Sequence, residues 1–446
     1  MKTLLLLVTA ALAFPELLAQ DLSAVFPALK TLPAPASVAP GLRVSYYNSI
    51  GDIPDAEFGK WGGDLGAWDY ATAPSGHGYT QVDVVAVAQG VAALTVQAWQ
   101  YADWTGPLVP VRGGQAGLVC HAGGGDWWVH PQVLAQIEET QSPEFTILKV
   151  TQVLEGKSYP AIRIQQVTEE TRQATVYDRD TGFLLFKGTA VRRKNTTFAS
   201  QMYFRGSRRL PFAAPPPPLP LWLNPGLKVN YRGQYTALVA GNPPFSLPLD
   251  ALIEVRAVGD GWFVYDQTTT LTSLGGLPPT VEKATLVGGG NIYVAPQTLR
   301  TFQTGTVLDT DPITRSQLAV AETGNTVTLR TTVGTVSVTE FRFDAASGLM
   351  TGFRSWDSTD PLLQMASEVE LTAWPDFGAA VPPTLAIARR DRKIVLSCRG
   401  GSGRLYPVEA SVEGGRWETV GQLSDQQVWE TVVDPARRCA LFRLRP

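Results

Sequence analysis

The chain has 446 residues, 44% of them hydrophobic, and a formal net charge of −3. This length exceeds what one ordinary core supports, so we expect several domains, and the apolar content excludes wholesale disorder. The slightly negative charge gives no reason to expect a nucleic-acid partner. Gly 42 and Pro 33 are abundant, which favours a mainly β protein with short strands and many turns.

The N-terminus has the pattern of an export signal. Lys2 precedes the apolar run 4–13, which is too short to span a bilayer. We therefore predict a signal peptide over residues 1–20, cleaved after Ala13 or near Gln20, and a secreted, periplasmic or cell-surface protein. No later segment is apolar for long enough to suggest a transmembrane span.

Further along the chain, one stretch occurs twice. Residues 123–134 read GGGDWWVHPQVL, and residues 288–299 read GGGNIYVAPQTL. Each copy is a Gly-rich turn, a short apolar strand and a proline, which suits the first position of a helix. Both copies therefore predict a short helix that docks on a sheet.

Two further pairs of blocks bound the duplication. PGLRVSY at 40–46 matches PGLKVNY at 225–231, and the blocks around Asp178 and Asp344 both place an Asp four residues before a Gly. That spacing is typical of a hairpin turn. Alternating strands fill the rest, so each repeat is predicted to be an antiparallel sheet with one short helix. The predicted divisions are a linker over 21–39, repeat 1 over 40–212, a Pro-rich linker over 213–224, repeat 2 over 225–377, a linker over 378–383 and a third module over 384–446.

The third module contains five short predicted strands at regular spacing, typical of a small sandwich. Its order IVLSC … YPVEASVEGGRWETVG … ALFRLRP resembles the fibronectin/immunoglobulin-like module that often ends secreted bacterial multidomain proteins. Where that family commonly has a Trp after the V-x-L-S strand, this chain has Cys398. The resemblance implies a spacer or adhesive unit without chemistry. Cys398 and Cys439 lie on the second and last predicted strands, where they form either a disulfide or two buried thiols.

The repeats carry a looser resemblance. An antiparallel sheet, a short helix and the hairpin YDRDTGFLL at 177–185 are together similar to the half-barrel of periplasmic lipoprotein carriers. That family holds acyl chains between sheet and helix. The resemblance therefore implies a lipophilic ligand.

Features found in only one repeat are the candidates for function. The offset between matching positions falls from 185 at the opening block to 171 at Gly90 and Gly261, so repeat 1 has 185 − 171 = 14 extra residues in this region. Long Gly-rich loops with aromatics are common binding surfaces. The aromatic side chains stack on a sugar ring, line an apolar pocket, or simply fill the core. The candidate ligand-binding residues are Trp61, Trp68, Tyr70, His77, Tyr79, Trp99, Trp104, Trp127 and Trp128.

Other chemistry has weaker support. Cys120, His121 and His130 are zinc-type ligands, but their spacing fits no zinc pattern, and we expect neither a metal nor a cofactor. Asp69, Ser75 and His77 lack a nucleophile-elbow motif. Carboxylates in the extra loop leave a glycosidase pair as one alternative.

We therefore predict a secreted, non-enzymatic binding or surface-assembly protein, with a glycan or a lipophilic ligand held by repeat 1. The alternatives are a carrier of lipophilic ligands and a carbohydrate-active hydrolase that uses the extra loop of repeat 1.

The export signal makes one testable prediction. Expressed in its own host, the chain should be recovered outside the cytoplasm with its N-terminus at residue 14 or close to residue 21, because signal peptidase removes the apolar run. N-terminal sequencing of the exported protein checks this, and recovery of cytoplasmic chain that begins at Met1 would contradict it.

Overall fold

The computed structural model describes residues 26–54, 76–88, 90–101, 106–142, 145–194, 196–211, 219–220, 222–272, 278–288, 292–360, 362–372, 384–390, 393–399, 406–412, 418–423, 428–432 and 440–444. These residues form two ten-stranded sheets and two three-stranded sheets. This confirms the predicted fold class: mainly β, with two tandem antiparallel-sheet domains, each with a short helix, and a C-terminal sandwich. Within the described ranges, no helix is both long enough and apolar enough to cross a membrane.

Repeat 1 begins with a short 3-10 helix, Pro27–Lys30, ahead of its sheet. Its elements are β1 (Leu42–Pro54), β2 (Gly76–Ala88), β3 (Val91–Tyr101), β4 (Leu108–His121), α1 (Pro131–Gln136), β5 (Thr140–Gln141), β6 (Thr146–Leu154), β7 (Lys157–Val167), β8 (Thr171–Asp178), β9 (Leu184–Arg192) and β10 (Thr196–Arg209). The extra residues of this repeat fall in the connection between β1 and β2, at 55–75, which lies outside the described residues.

Repeat 2 contains the same elements in the same order. They are β11 (Lys228–Val239), β12 (Phe245–Gly259), β13 (Trp262–Leu271), β14 (Thr280–Val287), α2 (Pro296–Leu299), β15 (Val307–Thr310), β16 (Ser316–Glu322), β17 (Thr326–Val333), β18 (Ser337–Asp344), β19 (Met350–Asp360) and β20 (Leu363–Leu371).

The two sheets have identical topology. In each, the last strand returns to pair with the first, so β1 lies between β2 and β10, and β11 lies between β12 and β20. The order is β4-β3-β2-β1-β10-β9-β8-β7-β6-β5 in repeat 1, and repeat 2 repeats it with every number raised by ten. The chain between the edge strands β4 and β5 carries the Gly-rich block and α1. Its equivalent carries α2.

We call residues 122–137 and 292–302 the plugs of the two repeats, because they cover the core side of each sheet. Trp128 forms an isolated bridge with Phe183, and Tyr293 forms the equivalent bridge with Leu349. Pro131 occupies the first turn of α1, and the His130 side chain accepts a hydrogen bond from the Gln132 N–H. Ala295 caps α2 without a side-chain bond, and this helix is shorter, as expected when a cap is lost.

Each repeat has a core of buried side chains. In repeat 1, Tyr46, Trp128, Leu134 and Tyr177 are almost completely buried and belong to one cluster. Tyr231, Leu299 and Phe343 have the same role in repeat 2. Side chains from the two helices, Leu134 and Leu299, occupy the space between helix and sheet.

The chain ahead of each sheet also supplies core residues. Leu29 and Val38 pack in the core of repeat 1, and Trp222 and Leu223 pack in the core of repeat 2. The packed part of each repeat therefore begins before the opening strand.

The C-terminal module consists of two antiparallel three-stranded sheets. Their strands are β21 (Thr384–Arg390), β22 (Lys393–Arg399), β23 (Tyr406–Val412), β24 (Glu418–Leu423), β25 (Val428–Val432) and β26 (Ala440–Leu444). Their orders are β21-β22-β25 and β24-β23-β26. Cys398 lies on β22, but its side chain and the whole of Cys439 lie outside the described part, so the disulfide stays a prediction.

The plug is fixed to its sheet by a glycine. Gly182 has a φ of 82°, and an added Cβ would collide with the Val129 carbonyl oxygen. Gly348, with a φ of 75°, has the same relation to Val294 in repeat 2. The Val129 N–H donates to the Gly182 carbonyl at 2.9 Å, and the Val294 N–H donates to Gly348 at 3.0 Å.

We expect Gly182→Ala to lower the free energy of unfolding by about 3 kcal/mol or more. Alanine is strained in the left-handed backbone conformation of residue 182, and its Cβ would displace the plug. Gly156→Ala is a matched control, since Gly156 has a φ of 77° but nothing within 4 Å of the added Cβ, and it should cost only about 1 kcal/mol. Urea unfolding measures both variants. Equal losses would show that the plug contact contributes nothing.

Candidate functional site

The sequence-predicted residues divide between the two faces of the first sheet. Along β2, Val82 and Val84 point into the core, so Tyr79 and His77 lie on the opposite face. Trp99 pairs directly with Tyr79 across β2 and β3. With Tyr47 of β1 and Tyr101 of β3, these residues form what we call the aromatic face: Tyr47, His77, Tyr79, Trp99 and Tyr101.

The side chains of the aromatic face contact one another closely. The Tyr47 hydroxyl lies 3.0 Å from His77 Nδ1. The rings of His77 and Tyr101 stack with centroids 4.5 Å apart, and those of Tyr47 and Tyr79 meet edge to face at 5.3 Å. Burial lowers the pKa of His77. Burial also raises the pKa of Tyr79 to about 12, with a further contribution from Tyr101, so near neutral pH this face carries uncharged rings.

Two of the buried donors on this side of the sheet that have no hydrogen-bond partner in the described structure are of interest here. They are Trp99 Nε1 and Gln201 Nε2. Gln201 pairs with Ser49, next to the Tyr47 row, and its Oε1 accepts from the Tyr203 hydroxyl. Such donors favour a polar partner, because a buried N–H without an acceptor is costly.

The equivalent face of repeat 2 has a different composition. The cross-strand row in repeat 1 runs Phe186, Tyr203, Tyr47, Tyr79, Trp99. The equivalent row in repeat 2 runs Gly352, Glu370, Arg232, Asp250, Thr270. The scaffold is shared, so the aromatic residues of repeat 1 are not required by the fold itself.

Part of the aromatic face is covered by repeat 2. Tyr79 and Trp99 are buried in one cluster with Val333, and Ile313 and Val336 pack against that cluster. Tyr47, His77 and Tyr101 keep partial exposure. The covered end of the face is therefore a domain interface, and we call the partly exposed end, with Tyr47, His77 and Tyr101, the open end.

The domain interface continues along the edge of repeat 1. An added Cβ at Gly117 on β4 would collide with the backbone of Leu286 and Val287 on β14. Val287 is buried in a cluster with Ala86 and Ala93 of repeat 1. The absence of a side chain at Gly117 thus allows the two sheet edges to approach closely.

An ionic contact also joins the repeats on the same face of the first sheet, near the start of β1. One carboxylate oxygen of Asp311 accepts from Arg43 at 3.0 Å, from Arg208 at 2.9 Å and from Gln81 at 3.0 Å. Arg43 also binds Asp83, and Arg208 also binds Asp309. We call these six side chains the Asp311 clamp. The Asp311 side chain is only 2% exposed.

The other oxygen of Asp311 organises its own turn. It accepts from the N–H groups of Ile313 and Thr314 and from the Thr314 hydroxyl. Burial alone would raise the pKa of Asp311, but the Thr314 N–H and the guanidinium groups of Arg208 and Arg43 outweigh it and hold the pKa well below its usual value.

Sequence reasoning missed this turn, although a signal for it exists. Residues 311–316 read DPITRS, and the two closing hairpins read DRDTGF and DAASGL. Arg315, with a φ of 60°, occupies the position of Gly182 and Gly348. Because Arg315 stands in place of the glycine, the sequence pattern does not reveal this third copy of the turn.

The other sequence-predicted residues lie elsewhere. Trp127 and Trp128 are in the core of repeat 1, with Trp128 Nε1 donating to the Ala122 carbonyl, so they are separated from the aromatic face by the sheet. The residues Trp61, Trp68, Tyr70 and Trp104 lie outside the described residues.

The cysteine and histidines of repeat 1 do not converge. His130 caps α1, Cys120 packs against the core, and His77 is on the opposite face. Burial, with the charge of Asp126, raises the pKa of Cys120 to about 12. In the described ranges, no group of three or more His, Cys, Asp or Glu side chains is placed to hold a metal ion.

Two clefts open on the charged face of repeat 2. One of about 330 Å³ is lined by charged side chains that include Arg330, Glu340 and Arg354. The other, about 270 Å³, is lined by Glu254, Arg256 and neighbouring polar residues. Neither cleft has the apolar lining expected for a lipophilic ligand.

No protein-family model and no curated protein matches this chain. Among solved structures it is similar to a protein of unknown function from the DUF3598 family of Nostoc punctiforme PCC 73102, at 12% identity over 75% of this chain and 96% of that chain. The TM-score is 0.13, so this likeness supports no argument about fold or function.

We expect Asp311→Asn to lower the free energy of unfolding by about 2 kcal/mol at neutral pH, since it leaves two arginines without their shared carboxylate. The folded pKa of Asp311 is depressed, so this stabilisation is present above the unfolded pKa of about 4 and is lost as pH falls below it. Urea unfolding of wild type and variant at pH 7 and in acid measures the difference.

Asp250→Asn is the control for this prediction, because Asp250 pairs with Arg232 at 2.9 Å on the exposed surface. It should change stability little, since exposed pairs are screened by solvent. A clamp variant indistinguishable from this control would contradict the role of Asp311.

Proposed function

We propose that this chain is an exported, non-enzymatic binding protein that holds its ligand on the open end of the aromatic face of repeat 1. The observation that carries the proposal is the exchange along one cross-strand row, from Phe186, Tyr203, Tyr47, Tyr79 and Trp99 in repeat 1 to charged or small residues in repeat 2. A duplicated scaffold with one altered face is consistent with a function confined to that face.

A glycan fits this face better than a lipophilic molecule does. The rings of Tyr47, His77 and Tyr101 offer flat apolar surface for a sugar ring. A hydroxyl group of a sugar would also satisfy the buried donor Gln201 Nε2. A carrier of acyl chains needs an elongated apolar cavity between sheet and helix, and Leu134 and Leu299 fill that space in the two repeats.

Hydrolysis has less support than binding. A glycosidase needs two carboxyl groups on either side of the scissile bond, with one of them protonated near neutral pH. Asp83, at the edge of the aromatic face, is already paired with Arg43. Asp309 and Asp311 form a close pair but are occupied by arginines.

We also propose that the protein acts outside the cytoplasm, at a cell surface. The apolar run after Lys2 supports export, and the C-terminal module, similar to fibronectin/immunoglobulin-like units, supports a spacer role at a cell surface. Surface assembly through repeat 2 is part of the same proposal.

The test is a glycan array probed with the full chain, followed by titration of any soluble oligosaccharide that scores. We expect binding without release of reducing sugar, and Tyr101→Ala should weaken the affinity about tenfold through loss of ring stacking. Thr272→Ala, at the equivalent position of repeat 2, should leave the affinity unchanged.

Three results would contradict the proposal. Cleavage of the bound glycan would favour the hydrolase. Binding of a fluorescent fatty acid with no glycan hit would favour the carrier. Equal effects of Tyr101→Ala and Thr272→Ala on the affinity would show that the aromatic face does not bind the ligand.

A further inference from the structure

Repeat 2 exposes a group of apolar side chains at the end of two adjacent hairpins. Leu238, Val239 and Phe245 are each close to 40% exposed, and Leu362 is 65% exposed. We call these four residues the apolar tip. Monomeric proteins usually expose large apolar residues singly, and clusters of them mark interaction sites.

The backbone holds the four residues together. Val239 pairs with Leu363 across β11 and β20, and Ala237 pairs with Phe245 across β11 and β12. The Ala240 N–H donates to the Leu362 carbonyl at 2.9 Å, which ties the two hairpin ends to each other. The tip is thus an ordered part of the sheet.

The tip has the shape of a wedge. Leu238 and Val239 are consecutive strand residues and therefore point to opposite faces of the sheet. Leu362 stands at the turn between β19 and β20, and Pro243 and Pro244 beside Phe245 are exposed. A convex wedge with apolar side chains on both faces does not form a groove for a helix or a peptide strand.

The size of the apolar tip distinguishes a protein partner from a lipid bilayer. Four partly exposed side chains amount to a few hundred Å², well below the roughly 800 Å² per partner of a stable protein interface. A bilayer interface has no such minimum, because each apolar side chain that enters it contributes separately.

The charges near the tip indicate the kind of lipid. The stretches 236–248 and 357–366 contain no Lys or Arg, and Asp357 and Asp360 lie close to the tip. Both carboxylates accept turn N–H groups, from Thr359 and Leu362, at 2.8 Å. Anionic headgroups would be repelled here, whereas a zwitterionic surface would not. The equivalent turn of repeat 1 carries the exposed residues Arg192, Arg193 and Lys194.

We infer that the apolar tip of repeat 2 inserts into the interface of a zwitterionic lipid bilayer. Phe245 and Leu362 supply most of the inserted surface, and Leu238 and Val239 follow on the two sides of the wedge. This contact is separate from the aromatic face of repeat 1, so the chain combines a ligand site on one repeat with a lipid contact on the other.

Co-sedimentation of the full chain with phosphatidylcholine vesicles tests the inference. Wild type should bind, and the double variant Phe245→Ser/Leu362→Ser should partition about tenfold less, since two apolar side chains are removed. The control Val153→Ser changes a residue of repeat 1 that is 51% exposed and should bind like wild type. Binding should persist in high salt, because apolar insertion is not screened.

Several outcomes would overturn the inference. They are no binding by wild type, equal binding by the double variant, or loss of binding in high salt. Size-exclusion chromatography with light scattering measures the oligomeric state as a further test. If wild type is a dimer and the double variant is a monomer, the tip binds a second copy of the chain instead of a bilayer. Circular dichroism of the double variant confirms that it is folded.

Discussion

A sheet has two faces, and an apolar face must be covered. In each repeat the plug and the chain ahead of the first strand cover one face, and the sheets are alike to this point. In repeat 1 part of the second face is also apolar, and repeat 2 covers one end of that part through Ile313, Val333 and Val336. The need to bury this second face explains why the repeats pack together, and the Asp311 clamp fixes their register.

The same constraint explains why the repeats form a directional pair. The row that carries Tyr79 and Trp99 in repeat 1 carries Asp250 and Thr270 in repeat 2. A third unit docked in the same way would meet charged and polar groups and would gain little from burial. Repeat 2 therefore does not offer the surface that repeat 1 offers, unlike a solenoid in which every unit offers the next the same surface.

The sequence allowed much of the fold to be predicted, because duplication is visible as repeated local chemistry. The Gly-rich block, the helix-starting proline and the Asp-to-Gly turn all occupy equivalent places. The sequence did not show which aromatic residues belong to the core and which to the aromatic face. Trp127 and Trp128 belong to the plug. Only the alternation along β2, with Val82 inward and Tyr79 outward, indicates that Tyr79 lies on the opposite face. The Asp311 clamp could not be predicted, since Asp311 binds side chains that lie 103 to 268 positions away along the chain and Arg315 replaces the glycine that would have revealed its turn.

Tyr47 connects the two parts of the aromatic face. Its ring meets Tyr79, which is buried against repeat 2, and its hydroxyl meets His77 at the open end. A ligand stacked on Tyr101 and His77 would restrict the Tyr47 side chain, and that side chain is already part of the packing that holds repeat 2. A ligand that binds only when repeat 2 is docked stabilises the docked arrangement by mass action. Ligand binding at the open end and docking of repeat 2 would therefore reinforce each other. A ligand site at this position would thus lie beside the domain interface because one sheet face would serve both purposes.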